Sequence, residues 1–349
     1  MDNTMNNVKP FWIGNEMDRE SLFFVQKSDD EFPCDTLLFT PDRILSVKSA
    51  SGEIAYEEGK DYILTSDRII SLPKGSRIPF KTDAEMHPSP DSPQSIAACR
   101  DGKSHLFFGE GHFFHDLQAE ITYTHKDKWE SPVPKFALNH LPKLMKKLKN
   151  SESLKIVLFG DSISAGGNAS GVTGAKPFMP DYGQLVVNEL HSVYGSDIAY
   201  KNHSVGGTAS GWGLENIAVV ANEKPDLVIL GFGMNDASGR VTPAQFKANI
   251  QNQMEAIRKV QSDTEFILVA TMTANPEWTA SSPDLYPLYR DELGTLCENG
   301  VILADVTSIW IEILKRKSFA SMTGNGVNHP NDFGHRIYAQ VILALLIGK

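Results

Sequence analysis

Leu154-Lys155-Ile156-Val157-Leu158-Phe159-Gly160-Asp161-Ser162-Ile163-Ser164 (LKIVLFGDSIS) is an apolar, partly β-branched run that stops at a glycine and hands over to a serine. Such a run fits a parallel strand buried on both faces, and Gly160 tolerates the tight turn by which the chain leaves it. Outward from this stretch, strand-like runs alternate with helical ones. A helix near Tyr182 to Tyr194 leads to IAYKNHSVG, a helix from Trp212 to Asn222 to DLVILGFG, and a helix from Pro243 to Val260 to EFILVATM. Leu285 to Glu298 then leads to VILADV, and a last helix runs from about Asn331 to Leu346. Five β-rich runs separated by helices predict a parallel α/β sheet with right-handed crossovers and helices on both faces. Ligands of such sheets bind at the carboxyl ends of the strands, and Ser162 stands at one of those ends.

Alone, Gly160-Asp161-Ser162 would read as a turn or a helix N-cap, since serine is a favoured cap. Three later segments change that reading: Asn202-His203-Ser204-Val205-Gly206-Gly207-Thr208, Gly231-Phe232-Gly233-Met234-Asn235-Asp236 and Asn328-His329-Pro330-Asn331-Asp332. Each falls at a predicted strand end or helix entry, where its polar groups can converge on Ser162. Ester hydrolysis near neutral pH needs a nucleophile, a base to take its proton, and donors aimed at the developing oxyanion. Ser162 is the candidate nucleophile and His329 the candidate base. The oxyanion-hole candidates are the backbone N–H groups of Ser162 and Gly207 and the side-chain amide of Asn235.

These four ordered blocks resemble those of the SGNH (GDSL) hydrolases: Gly160-Asp161-Ser162, Gly207 after Asn202, Gly233-Met234-Asn235-Asp236, and His329-Pro330. The resemblance spans residues 154 to 349. It implies a three-layer α/β/α sandwich with a flavodoxin-like parallel sheet, and it implies the nucleophile, oxyanion and base roles just assigned. Family substrates include acetylated sugars, lysophospholipids, thioesters and simple esters. A β-sandwich ahead of such a domain is similar to the arrangement in some carbohydrate acetyl esterases. One position departs from the family pattern. The aspartate usually found three residues before the histidine is Gly326 here, which leaves Asn325, Asn328 and Asp332 as candidates for orienting the ring, and a Ser–His dyad as the expected machinery. Asp332 is also a natural first-turn carboxylate of the last helix. Asp161, Trp212 and Trp278 are candidates for binding substrate, the indoles by stacking on a sugar ring or walling an acyl pocket.

Upstream, short runs such as RILSV, EIAY, YILT and RIISL are broken by turn signals, and HLFFGEGHFFHDL (105–117) reads as a hairpin turning at Gly109 and Gly111. The expected organisation is a smaller all-β, sandwich-like domain over 1–138, a connecting helix and linker over 139–152, and the hydrolase domain over 153–349. The chain of 349 residues carries 33 Lys+Arg against 43 Asp+Glu, a net charge of −10 that gives no field to draw nucleic acid. The longest apolar stretch, Val341 to Ile347, is far short of the roughly 20 residues of a membrane span, and MDNTMNNVKPFW lacks a signal-peptide layout. A cytoplasmic location and no membrane partner are therefore expected, with a homo-oligomer left open. Cys34, Cys99 and Cys297 suggest free thiols, and the histidines (His112, His115, His203, His335) come without a ligand cluster, so neither a metal nor a cofactor is expected. There is no G-x-S-x-G elbow, and G-F-G-M-N-D lacks the third glycine of a dinucleotide loop. The expected function is removal of small acyl groups, above all acetyl, from carbohydrate or oligosaccharide hydroxyls. The alternatives are a lysophospholipase or thioesterase, and a carbohydrate-binding protein with a decayed site.

Overall fold

A computed structural model describes residues 8–137 and 139–348. The first seven residues of the amino-terminal stretch, and Leu138 at the expected domain boundary, lie outside the described residues.

Strands β1 (Leu154–Gly160), β2 (Ile198–Asn202), β3 (Leu227–Gly231), β4 (Glu265–Ala270) and β5 (Val301–Asp305) form one parallel sheet in the order 2-1-3-4-5. This is the flavodoxin-like order, with its switch point between β1 and β3. β1, β3 and β4 are almost wholly buried, as expected of strands covered on both faces. With right-handed crossovers, the helix between β1 and β2 (Tyr182–Tyr194) lies on one face. The helices that follow β2, β3 and β4 lie on the other. The C-terminal helix Asp332–Leu346 packs on Tyr182–Tyr194 and completes the first layer. The stretch read from the sequence as one helix over Trp212–Asn222 is two short pieces, Ser210–Glu215 and Ala218–Ala221, and Val306–Leu314 forms a helix that strand-and-helix alternation did not anticipate.

Register decides the site. Gly160 is the Cα partner of Gly231, and Leu158 that of Asn202, so β1 and β3 end level and β2 stops two residues short of them. The segments that follow them, with Ser162, Gly207 and Asn235, start from one edge.

Among the described residues the N-terminal region is β-rich and comprises three sheets. An antiparallel sheet joins Glu16–Leu22, Ala119–His125 and Pro41–Ser49, a five-stranded mixed sheet includes Phe24–Gln26 and Cys34–Thr36, and a two-stranded sheet pairs Ser95–Ala98 with His105–Phe107. The hairpin expected over 105–117 does not form. The strand His105–Phe107 pairs backwards with Ser95–Ala98, and 115–117 is a short 3-10 turn. The reason is apolar burial: Phe107 and Phe114 pack with Phe23 in a separate cluster, which pulls the chain inward where a hairpin would keep it extended.

The helix Pro142–Lys149 opens with proline at its first position and buries Leu144, Met145 and Leu148, while Lys143 and Lys147 reach Asp263 (2.5 Å) and Asp226 (2.8 Å). One contiguous apolar core runs from Met17, Phe24 and Tyr123 of the N-terminal sheets to Phe159 and Leu230 of the central sheet. Lys317 and Glu20, both with 0% exposed side chains, pair across the same boundary at 2.5 Å. Tyr123 Oη donates to Glu20 at 2.6 Å and the Leu38 N–H at 2.9 Å, so the buried charges are hydrogen-bonded as well as paired.

Candidate active site

β1 ends in a side-chain turn. The Asp161 carboxylate accepts from the Ile163 N–H at 3.0 Å, the Ala165 N–H returns to the Asp161 carbonyl at 2.9 Å, and Ser162 sits at the bend, half exposed. Ser162 Oγ lies 2.8 Å from His329 Nε2. The other ring nitrogen, Nδ1, is 2.6 Å from Asn168 Oδ1.

The amide orientation of Asn168 follows from its partners. Its Nδ2 group faces two carbonyl oxygens, Gly111 at 2.7 Å and Gly324 at 3.0 Å, and only the NH2 end can satisfy both. Oδ1 is thereby turned to His329 and must accept, so Nδ1 carries the proton and Nε2 presents its lone pair to the Ser162 hydroxyl. This is the tautomer a general base requires. Asn168 is buried and holds φ +61°, a conformation asparagine tolerates better than most residues. Gly167 beside it has no room for a side chain. A Cβ there would stand 2.8 Å from the Ser162 carbonyl and 3.1 Å from His329 Nδ1. His335, fully buried, donates from Nε2 to the Gly167 carbonyl at 3.0 Å and braces the same loop.

The ring-orienting candidates taken from the sequence are corrected by this geometry. Asn325 Oδ1 accepts three backbone N–H groups, from Val327, Asn328 and His329, so it shapes the histidine loop and does not touch the ring. Asn328 Oδ1 accepts from Asn325 Nδ2 at 3.1 Å. Asp332, at the first turn of the last helix, accepts from the Ser170 N–H at 2.8 Å. Gly326, where the family carries aspartate, has φ +88°, and a Cβ there would meet the Phe107 carbonyl at 2.3 Å and Phe114 Cζ at 2.8 Å. The N-terminal region occupies the aspartate's space. Asn168 was missed because it follows Ser162 by only six residues, inside a Gly-rich loop that reads as a connector. Its one signal was a polar residue at the bend that leaves β1.

Asn235 Nδ2 donates to the Thr208 carbonyl at 2.9 Å, which points its amide at the 206–208 loop and leaves its second N–H unused by that bond. Asp236 accepts from Ser210 Oγ at 2.5 Å and from the Ser210 N–H, so adjacent residues of one block hold both ends of the loop. Gly207 has φ +76° and open space at its Cβ position, and a Cβ on Gly206 would lie 3.7 Å from Ser162 Cβ. The loop thus abuts the serine.

Asp161, proposed from the sequence to bind substrate, is 1% exposed and has no access to one. Burial pushes its carboxyl up to about 7. Trp212, half-buried, packs its ring on Phe159 (centroids 5.9 Å), and Trp278 lies half-buried in a cluster with Cys99, Leu106 and Val327. His112 and His115 turn to different partners, Asp116 and the Lys176 carbonyl. Burial, and secondarily His335, lower the His329 pKa to about 4, so the ring is neutral at physiological pH.

The chain belongs to the GDSL-like lipase/acylhydrolase family, whose model matches residues 158–337. Comparison with curated proteins gives no match. Among solved structures, a two-domain esterase (CEX) active on acetylated mannans is 25% identical with a TM-score of 0.49, over 61% of this chain and 53% of that one. This chain therefore spans about half the length of that esterase. Axe2, an acetylxylan esterase from Geobacillus stearothermophilus, is 20% identical with a TM-score of 0.45, over 56% of this chain and 95% of that one. LAE5, an α/β hydrolase from the metagenome of Lake Arreo, Spain, is 22% identical with a TM-score of 0.45, over 56% and 97%.

Proposed function

We propose that the protein is a serine ester hydrolase that removes small acyl groups, acetyl foremost, from carbohydrate hydroxyls. The observation that carries the reading is the hydrogen-bonded chain Ser162 Oγ, His329 Nε2, His329 Nδ1, Asn168 Oδ1, with its tautomer dictated by the two carbonyls behind Asn168. Ser162 Oγ attacks the acyl carbon while His329 Nε2 takes its proton. The carbonyl oxygen becomes an oxyanion facing the N–H groups of Ser162 and Gly207 and the free N–H of Asn235. Collapse expels the alcohol, which leaves with the proton from His329. Water then repeats the sequence on the acyl-enzyme and releases the acid. A polar substrate is favoured by the surroundings: Glu110 and Gly207 are exposed, and Thr208 and Asn328 are half exposed. Among the described residues no helix is long and apolar enough to cross a membrane.

Fluorophosphonate labelling with peptide mapping tests the nucleophile, and kinetics on p-nitrophenyl acetate, butyrate and octanoate, with acetate release from acetylated oligosaccharides, test the substrate. Label on Ser162 and preference for acetate support the proposal. Preference for octanoate points to a lysophospholipase or thioesterase, and sugar binding without turnover to a decayed site.

A further inference from the structure

The loop that displaces the family aspartate also brings a carboxylate of its own. After Phe107, whose carbonyl fills the space beside Gly326, the chain runs through Gly109, Glu110 and Gly111. The Gly109 N–H donates to the Asn325 carbonyl at 3.4 Å, and the Gly111 carbonyl accepts one of the two Asn168 bonds that set the ring's tautomer. Between them, Glu110 Oε1 accepts from Asn325 Nδ2 at 3.4 Å, and Glu110 Oε2 lies 4.0 Å from His329 Nδ1. That distance is too long for a hydrogen bond, and the Nδ1 proton is committed to Asn168.

We propose that Glu110, carried by the N-terminal region, is the positioning carboxylate of the site: a through-space countercharge for the His329 imidazolium in place of the displaced aspartate. The inference rests on the functional reading above. Asn168 orients the ring with a neutral oxygen but offers no charge when Ser162 gives up its proton. The titratable groups around the ring otherwise oppose protonation. His335 on the last helix lowers the His329 pKa, and Asp332 and Asp181 act on His335 rather than on His329. Glu110 is the carboxylate within ion-pair range of Nδ1 among the described residues. Because its side chain is 58% exposed, the expected effect is modest and sensitive to salt.

Glu110→Gln removes the charge while keeping a carbonyl for Asn325. The test compares this variant with the wild type in two rates: phosphonylation of Ser162 by a fluorophosphonate, in which Oγ displaces fluoride, and kcat/KM on p-nitrophenyl acetate. The expected result is a loss of about two- to fivefold in both rates with KM unchanged, the size of a charge pair at this range in watery surroundings. The gap should close in about 1 M salt. Equal rates in the two proteins overturn the inference. So does a loss that persists at high salt, which would mark Glu110 as a mere prop for Asn325. A wild-type protein whose Ser162 takes no label overturns the functional reading and this inference together, whereas a labelled wild type with an indifferent Glu110→Gln overturns this inference alone.

Discussion

Asn168 Oδ1 accepts the Nδ1 proton of His329 at 2.6 Å, so a neutral amide stands where serine hydrolases commonly place a carboxylate. The amide is held by Gly111 and Gly324, one carbonyl from the N-terminal region and one from the histidine loop. Asn168→Ala should lower kcat by about 10²-fold, because the ring loses its tautomer lock. It should also cost about 1–3 kcal/mol of stability as the two carbonyls lose their donor. Asn168→Asp should not be an improved enzyme, since a carboxylate oxygen would face those same carbonyls without a proton to share. Steady-state kinetics with thermal melts of both variants check this, and a faster Asn168→Asp would contradict it.

Restoring the family residue at position 326 should fail. A side chain there meets the Phe107 carbonyl and the Phe114 ring and must adopt φ +88°, so Gly326→Asp should destabilise the protein by several kcal/mol, in the range of overpacked and strained sites. A melting curve decides it, and a stable, more active variant would show that the N-terminal loop can yield.

Asp332→Ala should retain most of kcat in the folded protein, because the carboxylate caps the Ser170 N–H and does not face the ring. The loss should appear in stability instead, at about 1–3 kcal/mol. A fall in kcat comparable to that of His329→Ala would mean that Asp332 acts in catalysis after all.

Asn235 serves a transition state rather than a bound ester if its free N–H meets the oxyanion. Asn235→Ala should then reduce kcat on the order of 10²-fold with little change in KM, and a raised KM at normal kcat would assign it to substrate binding.

The pH dependence follows from a histidine whose pKa burial lowers from 6.5 to about 4. The base works when neutral, so kcat/KM should be flat through neutrality and decline only as pH falls through about 4. Stability has the same sign. The unfolded ring binds a proton below about 6.5 while the folded ring refuses it down to about 4, so this contribution is full above 6.5 and is lost between those values. A midpoint near 6.5 in the activity profile would show that His329 is solvated in the working enzyme.

The five strands, most of the helices and the four polar blocks were legible because each is written in a contiguous stretch: apolar runs bounded by glycines, and Ser162, Gly207, Asn235 and His329 at the places where strands end or a helix begins. The parallel register that aligns Gly160 with Gly231 then makes their convergence nearly unavoidable. Which group steadies the histidine was not legible, because it depends on packing between segments far apart in the chain. The residue order alone shows that no aspartate precedes His329 by three positions. Why it is absent and what stands in its place depend on packing: Phe107 and Phe114 fill that space, Gly111 and Gly324 aim Asn168 at the ring, and Glu110 comes to 4.0 Å of it. Local patterning reveals which face of a strand or helix is buried, but a hydrogen bond spanning 161 residues, such as that between His329 and Asn168, exists only once two docked regions have fixed the distances between their loops.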